Sequence, residues 1–221
     1  MQDAEIRQLD RDQRVRVFAV NIAASIPAGS RGAQLATALD AKITEAETQA
    51  AKQDAATLDR QESTEQKRVA INTLKGQMRA MNRTARSIDE QMPGIADQFK
   101  MPTDSDQAVL NRARAFIEAA TPIPNEFTSR GFPASFLTDM QATIDAVDQA
   151  EDRQSAALAA QTAATKALAV ILKQLREIIR ELDSIIRNLF RNDPATLAAW
   201  ESASHIESGP TKKETPPPPT P

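Results

Sequence analysis

A chain of 221 residues without cysteine excludes disulfides, thiolate metal sites and thiol nucleophiles. Seven Phe, one Trp and no Tyr stand among 41% hydrophobic residues, so Ala, Leu, Ile and Val must fill any core through many small contacts. A net charge of −3 with pI near 5.4 gives no global attraction to nucleic acid or to an anionic membrane.

Strand-type alternation of Val, Ile, Tyr and Thr is missing, and the abundant Ala, Gln, Glu, Lys, Arg and Leu are good helix formers, so the chain reads as all-α. The first twenty residues mix both charge signs through what would be the apolar region of a secretory signal, which is therefore not expected. The first helix is expected over about Ala4 to Ala24, with Ile6, Leu9, Val17, Phe18 and Ile22 as its apolar residues. "IPAGSRG", Ile26 to Gly32, ends it at the proline. From Ala33 to Gln91 the chain has no proline and almost no glycine, and "PGIADQF" follows from Pro93. The same order then returns. A helix with Val109, Leu110, Phe116 and Ile117 is expected over about Ser105 to Ala120; "IPNEFTSRG" follows at Ile123 to Gly131; and a second uninterrupted stretch runs from Pro133 to Asn192. Asp193 reads as an N-cap with Pro194 as the first residue of a last helix.

Shifting the sequence by 101 residues pairs Ile43 with Ile144, Gln53 with Gln154, Thr64 with Thr165, Leu74 with Leu175, Arg79 with Arg180, Arg86 with Arg187 and Pro93 with Pro194 without a gap. An internal duplication is expected, with one helical unit at 1–100, a second at 101–206, both packed as one bundle, and a disordered Pro-rich tail at 207–221. Within the long stretches a heptad frame holds throughout. It places Leu137, Ile144, Leu158, Leu172, Ile179 and Ile186 at a, with Met140, Val147, Leu168, Leu175, Leu182 and Leu189 at d; Ile43, Ile71, Leu39 and Leu74 take equivalent places in the first unit. A hairpin would have no reason to keep phase through its turn. Two continuous helices of about 80 Å are therefore expected, packed in coiled-coil fashion into an elongated bundle with shorter helices. Gln53, Arg60, Lys67, Gln154 and Gln161 at d make the middle of the seam polar and more open. Ile171, Ile178 and Ile185 widen the apolar face around Leu168 to Phe190, which predicts the central core helix there and an outward place for its counterpart.

The stretches "FIEAATPIPNEFTSRGF" and "AALAAQTAATKALAVILKQLREIIRELDSIIRNLFRNDPATLAAWESA", with the tail, resemble a group of uncharacterised bacterial hypothetical proteins built from Ala-rich helices on the same duplicated plan. That resemblance implies an all-helical fold and bacterial origin. No known activity comes with it.

Catalytic chemistry is hard to assemble from these residues. The only histidine, His205, sits near the end of the last helix, too few for the paired Glu-x-x-His elements of a di-iron bundle and poorly placed for a triad. None of the six glycines forms a phosphate-cradling loop. Glu45 with Glu47, and Glu62 with Glu65, lie among lysines and arginines as solvated helix faces do. The recurring polar pattern is basic: Lys75, Arg79 and Arg86 share frame positions with Arg176, Arg180 and Arg187. These, with Arg31 and Arg130 beside the helix starts, are the candidate anion or partner contacts, against the simpler reading that they keep helix C-termini soluble and complement the dipole. "PPPP", with Pro216 and Pro219, fits a P-x-x-P ligand, although a solubilising tail is the simpler account of it. The expectation is a cytoplasmic, non-enzymatic helical scaffold or protein-interaction module that self-associates or binds a protein partner. It needs no cofactor, no metal, no nucleic acid and no membrane span. A ligand-binding or enzymatic bundle, or an anionic-polymer binder, is the alternative.

Overall fold

The computed structural model describes residues 3–102 and 105–207, and all regular structure among them is helical. In chain order these are α1 (Asp3–Asn21), a 3-10 turn at Ala23–Ser25, α2 (Arg31–Asp89), α3 (Ile95–Gln98), α4 (Asp106–Ala120), α5 (Pro124–Thr128), α6 (Phe136–Leu189) and α7 (Pro194–Ser204). The 59-residue α2 and the 54-residue α6 are unbroken, as the missing helix breakers require, and they pack against each other. The Pro-rich segment beyond Glu207 lies outside the described residues.

The chain divides into two compact units, and each takes part of both long helices. Unit 1 is Met1–Ala55 with Ala160–Pro221, and unit 2 is Ala56–Ala159. In unit 1, α1 and α7 cover the α2 and α6 segments, and Leu39, Ile43, Leu168, Leu172, Leu175, Ile179, Leu182 and Trp200 form the core. Trp200 packs on Phe18 of α1 with centroids 5.3 Å apart, while its indole N–H donates to Asp183 Oδ1 at 2.7 Å. In unit 2, α3, α4 and α5 cover the long helices, and the core joins Ile71, Leu74, Met78, Met81 and Ile88 to Phe99, Phe116, Phe127 and Phe136. Phe116 packs on Phe99 at 5.0 Å, and Asn82 donates to the Phe99 carbonyl at 2.6 Å. The segment 70–88 is thus the core of its own unit. The outward place expected for it is wrong, because α4 and the phenylalanine cluster cover it.

Caps set several helix ends. Asp193 Oδ1 accepts from the Thr196 amide at 3.1 Å with Pro194 opening α7, and Ser105 Oγ accepts from the Ala108 amide at 3.3 Å before α4. The two "SRG" corners, however, are built differently. In the first, Gly29 takes φ +71°, Ser30 Oγ accepts from the Ala33 amide, and α2 starts at once. Gly32 then lies in the first turn, where a Cβ would meet Ile26 at 3.2 Å and Ile185 at 3.3 Å. In the second, Ser129 ends the short α5, Gly131 takes φ +92°, and α6 starts only at Phe136, later than Pro133 suggests. Phe127, Phe132 and Phe136 close on one another there with centroids 5.2 to 5.5 Å apart, and this packing determines where the helix begins.

The heptad seam holds at its ends: Leu39, Ile43, Met140, Ile144, Leu168 and Leu175 are fully buried. Toward the middle the burial shifts one place, to Ala56, Ser63 and Ala70 on α2 and to Ala150, Ala157 and Ala164 on α6. Leu158, expected at a, is 52% exposed instead. Small residues let helix backbones approach closely where larger seam side chains would hold them apart.

Candidate functional site

The basic residues singled out in the sequence are drawn into the fold's own ion pairs in several cases. Arg31 donates through Nε and Nη2 to both oxygens of Glu181, at 2.6 and 2.8 Å. That hydrogen bonding holds the Glu181 carboxyl below its ordinary range. Arg130 Nη1 donates to Glu126 Oε2 at 2.6 Å and its Nη2 to Gln91 at 3.0 Å. Arg187 lies between Asp183 and Glu201, at 3.0 and 3.1 Å, and Lys75 stands 4.0 Å from Asp106. Arg79, Arg86, Arg176 and Arg180 are exposed. The positions lie on both units, and Arg31 and Arg130 meet carboxylates of their own chain at the corners.

Lys67, at a polar d position, bridges Glu151 of α6 at 3.0 Å and Asp106 of α4 at 3.4 Å. Gln53 Nε2 donates to Thr165 Oγ1 at 2.7 Å in unit 1, and Gln154 Nε2 donates to Thr64 Oγ1 at 2.9 Å in unit 2. The polar middle of the seam is therefore cross-linked by hydrogen bonds and not merely open. Among the described residues no group of three or more His, Asp or Glu side chains could hold a metal ion.

Two surfaces remain as candidates. One is a groove of about 690 Å³ between α1 and α7, lined by Val17, Phe18, Ala199 and Ala203 and edged by Asp10, Arg14 and Glu207. The other is a face of α6. An 18-residue window of this helix is apolar enough to cross a membrane by length and composition (mean hydropathy 1.4), yet only 28% of it is buried. Along that face, within unit 1, Ala160, Ala163 and Val170 are exposed and Ala167 is half-buried, a spacing that alternates three and four residues. Val170 is 57% exposed. No protein family, curated protein or solved structure matches the chain.

Sequence reasoning missed this face because alanine suits core and surface alike. It also missed a buried polar group on α1. Ile6 and Val17, expected to be apolar contacts, are exposed, whereas Gln8, Arg11 and Asp12 are buried beside Leu9, Val15 and Phe18. Leu9 and Phe18 take the inward place expected of them while Ile6 and Val17 do not, because the neighbouring helices decide which stripe of α1 is covered. Gln8 Nε2 donates to the Leu172 carbonyl at 2.6 Å. Arg11 Nε donates to Asp12 Oδ1 at 2.8 Å, its Nη2 reaches the same oxygen, and the buried Asp12 Oδ2 has no hydrogen-bond partner. Burial pushes the Asp12 carboxyl up to about 6, against the opposing pull of Arg11 and of Arg176.

Proposed function

We propose that the protein is a non-enzymatic helical scaffold that engages a protein partner, or a second copy of itself, through the uncovered apolar face of α6. The observation that carries this reading is the low burial of an apolar helical window. A core helix of such composition buries most of its surface, and exposed contiguous apolar surface marks interaction sites. The three-four spacing of Ala160, Ala163, Ala167 and Val170 suits a helix laid alongside, since it presents one heptad stripe of small side chains. The reciprocal bonds of Gln53 to Thr165 and Gln154 to Thr64 join residues paired by the 101-residue shift, which supports duplication as the origin of the scaffold.

Sedimentation over a range of concentrations, with Ala163→Glu plus Val170→Glu as the comparison, tests the reading. A photo-crosslinker at position 170 identifies any partner, with one at the exposed Lys100 as the control. Association or crosslinking at 170 that the double variant loses, with its helical circular dichroism unchanged, is expected. A monomer at all concentrations that crosslinks to nothing at 170 overturns it.

A further inference from the structure

The two units contain an internal comparison for the Arg11–Asp12 pair. Phe18 of α1 packs on Trp200, which Asp183 holds; Phe116 of α4 packs on Phe99, which Asn82 holds. Stepping back along both helices from these phenylalanines, Val15 stands where Ala113 stands, and Arg11 and Asp12 stand where Val109 and Leu110 stand. All six are buried. The place in the fold thus accepts two apolar side chains in one unit and holds an ion pair in the other. Replacing such a pair by apolar residues commonly leaves a protein as stable or more so, because desolvation consumes the Coulombic gain.

We propose that α1 is a pH-responsive strap: it seats on α2 and α6 when Asp12 is protonated and opens more often when Asp12 is ionised, uncovering Leu39, Ile43, Leu168 and Leu172.

Geometry gives the reason. Ionised Asp12 keeps Oδ1 on Arg11 and leaves Oδ2 buried without a donor; a proton on Oδ2 removes the carboxylate charge whose burial is costly, while Oδ1 still accepts from Arg11 and keeps the buried guanidinium hydrogen-bonded. The charged groups acting on Asp12 are Arg11 on its own helix and Arg176 on α6. Those of the other neighbours are engaged nearby and not at Asp12. Asp40 and Glu47 of α2 face Arg16, and Glu47 also accepts from Gln13; Glu201 of α7 faces Arg187; beyond α7, Glu207 and the His205 carbonyl face Arg14. Because the seated carboxyl titrates higher than a free one, the seated state takes up the proton, so seating is strongest in acid and weakens as pH rises through about 6. Loss of the apolar contacts of Leu9, Val15 and Phe18 accompanies each opening. This device is independent of the α6 face proposed above, and its test reads a different surface.

Hydrogen exchange of residues 3–21, corrected for intrinsic chemistry and compared with residues 106–120 of α4, tests it at pH 5 and pH 8. The full chain is used, with Asp12→Asn and the double variant Arg11→Val, Asp12→Leu beside it. His205→Gln in each background removes the only histidine as a control. In the natural sequence, protection of α1 relative to α4 is expected to be about tenfold lower at pH 8 than at pH 5, with or without His205. Both Asp12 variants should show the same protection at the two pH values. Trp200 fluorescence, through its contact with Phe18, should follow the same transition. Equal α1 protection at both pH values in the natural sequence overturns the proposal, as does protection that increases with pH, or a dependence that survives in Asp12→Asn.

Discussion

Arg11 and Asp12 illustrate how a charge pair reads differently once its surroundings are known. On a helix of mixed sign they look like part of a solvated face, yet Asp12 is fully buried and Arg11 nearly so. Removing one partner and removing both must therefore have opposite consequences. Arg11→Met leaves a lone carboxylate in the core and should cost about 3 to 5 kcal/mol at pH 7.5. The cost should shrink near pH 4.5, where the Asp12 carboxyl, pushed up to about 6, carries its proton. Arg11→Val with Asp12→Leu copies Val109 and Leu110 and should be neutral or stabilising by up to about 4 kcal/mol at pH 7.5. Urea denaturation at the two pH values measures both; a double variant less stable than the single one would show that the pair, and not its desolvation, dominates this site.

Helix boundaries depend on what ends each element, and glycine shows that most directly. Gly76 lies inside α2 with nothing near the place of a Cβ, so Gly76→Ala should raise stability by about 0.5 to 1 kcal/mol through helix propensity alone. Gly32 lies in the same helix but faces Ile26 and Ile185 at 3.2 and 3.3 Å, so Gly32→Leu should overpack the corner and cost about 1 to 3 kcal/mol. Thermal melts of the two variants should move in opposite directions. The elements themselves were largely legible. Uninterrupted helix formers marked α2 and α6, and Asp193 with Pro194 announced α7 by its cap chemistry. What was not legible depended on packing partners far away in sequence. The second "SRG" ends α5 instead of starting α6 because three phenylalanines close there. In the middle of the seam, Ala56, Ser63, Ala157 and Ala164 turn inward and Leu158 outward, and no local pattern distinguishes a buried alanine from an exposed one. The α6 face was hidden for the same reason, since its alanines read equally well as seam residues.

At the scale of the whole molecule, the two units differ in what fills them, although both use the same long helices. Unit 2 joins Phe99, Phe116, Phe127, Phe132 and Phe136 by ring contacts of 5.0 to 5.5 Å, each adding to apolar burial. Among the described residues unit 1 has a single such contact, Phe18 with Trp200, and holds Gln8, Arg11 and Asp12 in its core. Its seating cost lies on α1, so unit 1 should be the less stable part at neutral pH. The only tryptophan is in this unit, which makes fluorescence a local probe while circular dichroism at 222 nm reads helices of both. In urea at pH 7.5 the fluorescence transition should therefore precede the dichroism transition, a departure from two-state behaviour that follows from unequal local stability. At pH 5 the gap should narrow, because protonated Asp12 no longer weakens the α1 contact. Arg11→Val with Asp12→Leu should narrow it at both pH values, by giving unit 1 the apolar pair that unit 2 already has. Coincident transitions in the natural sequence at pH 7.5 would mean that the continuous α2 and α6 couple the units more strongly than their cores differ.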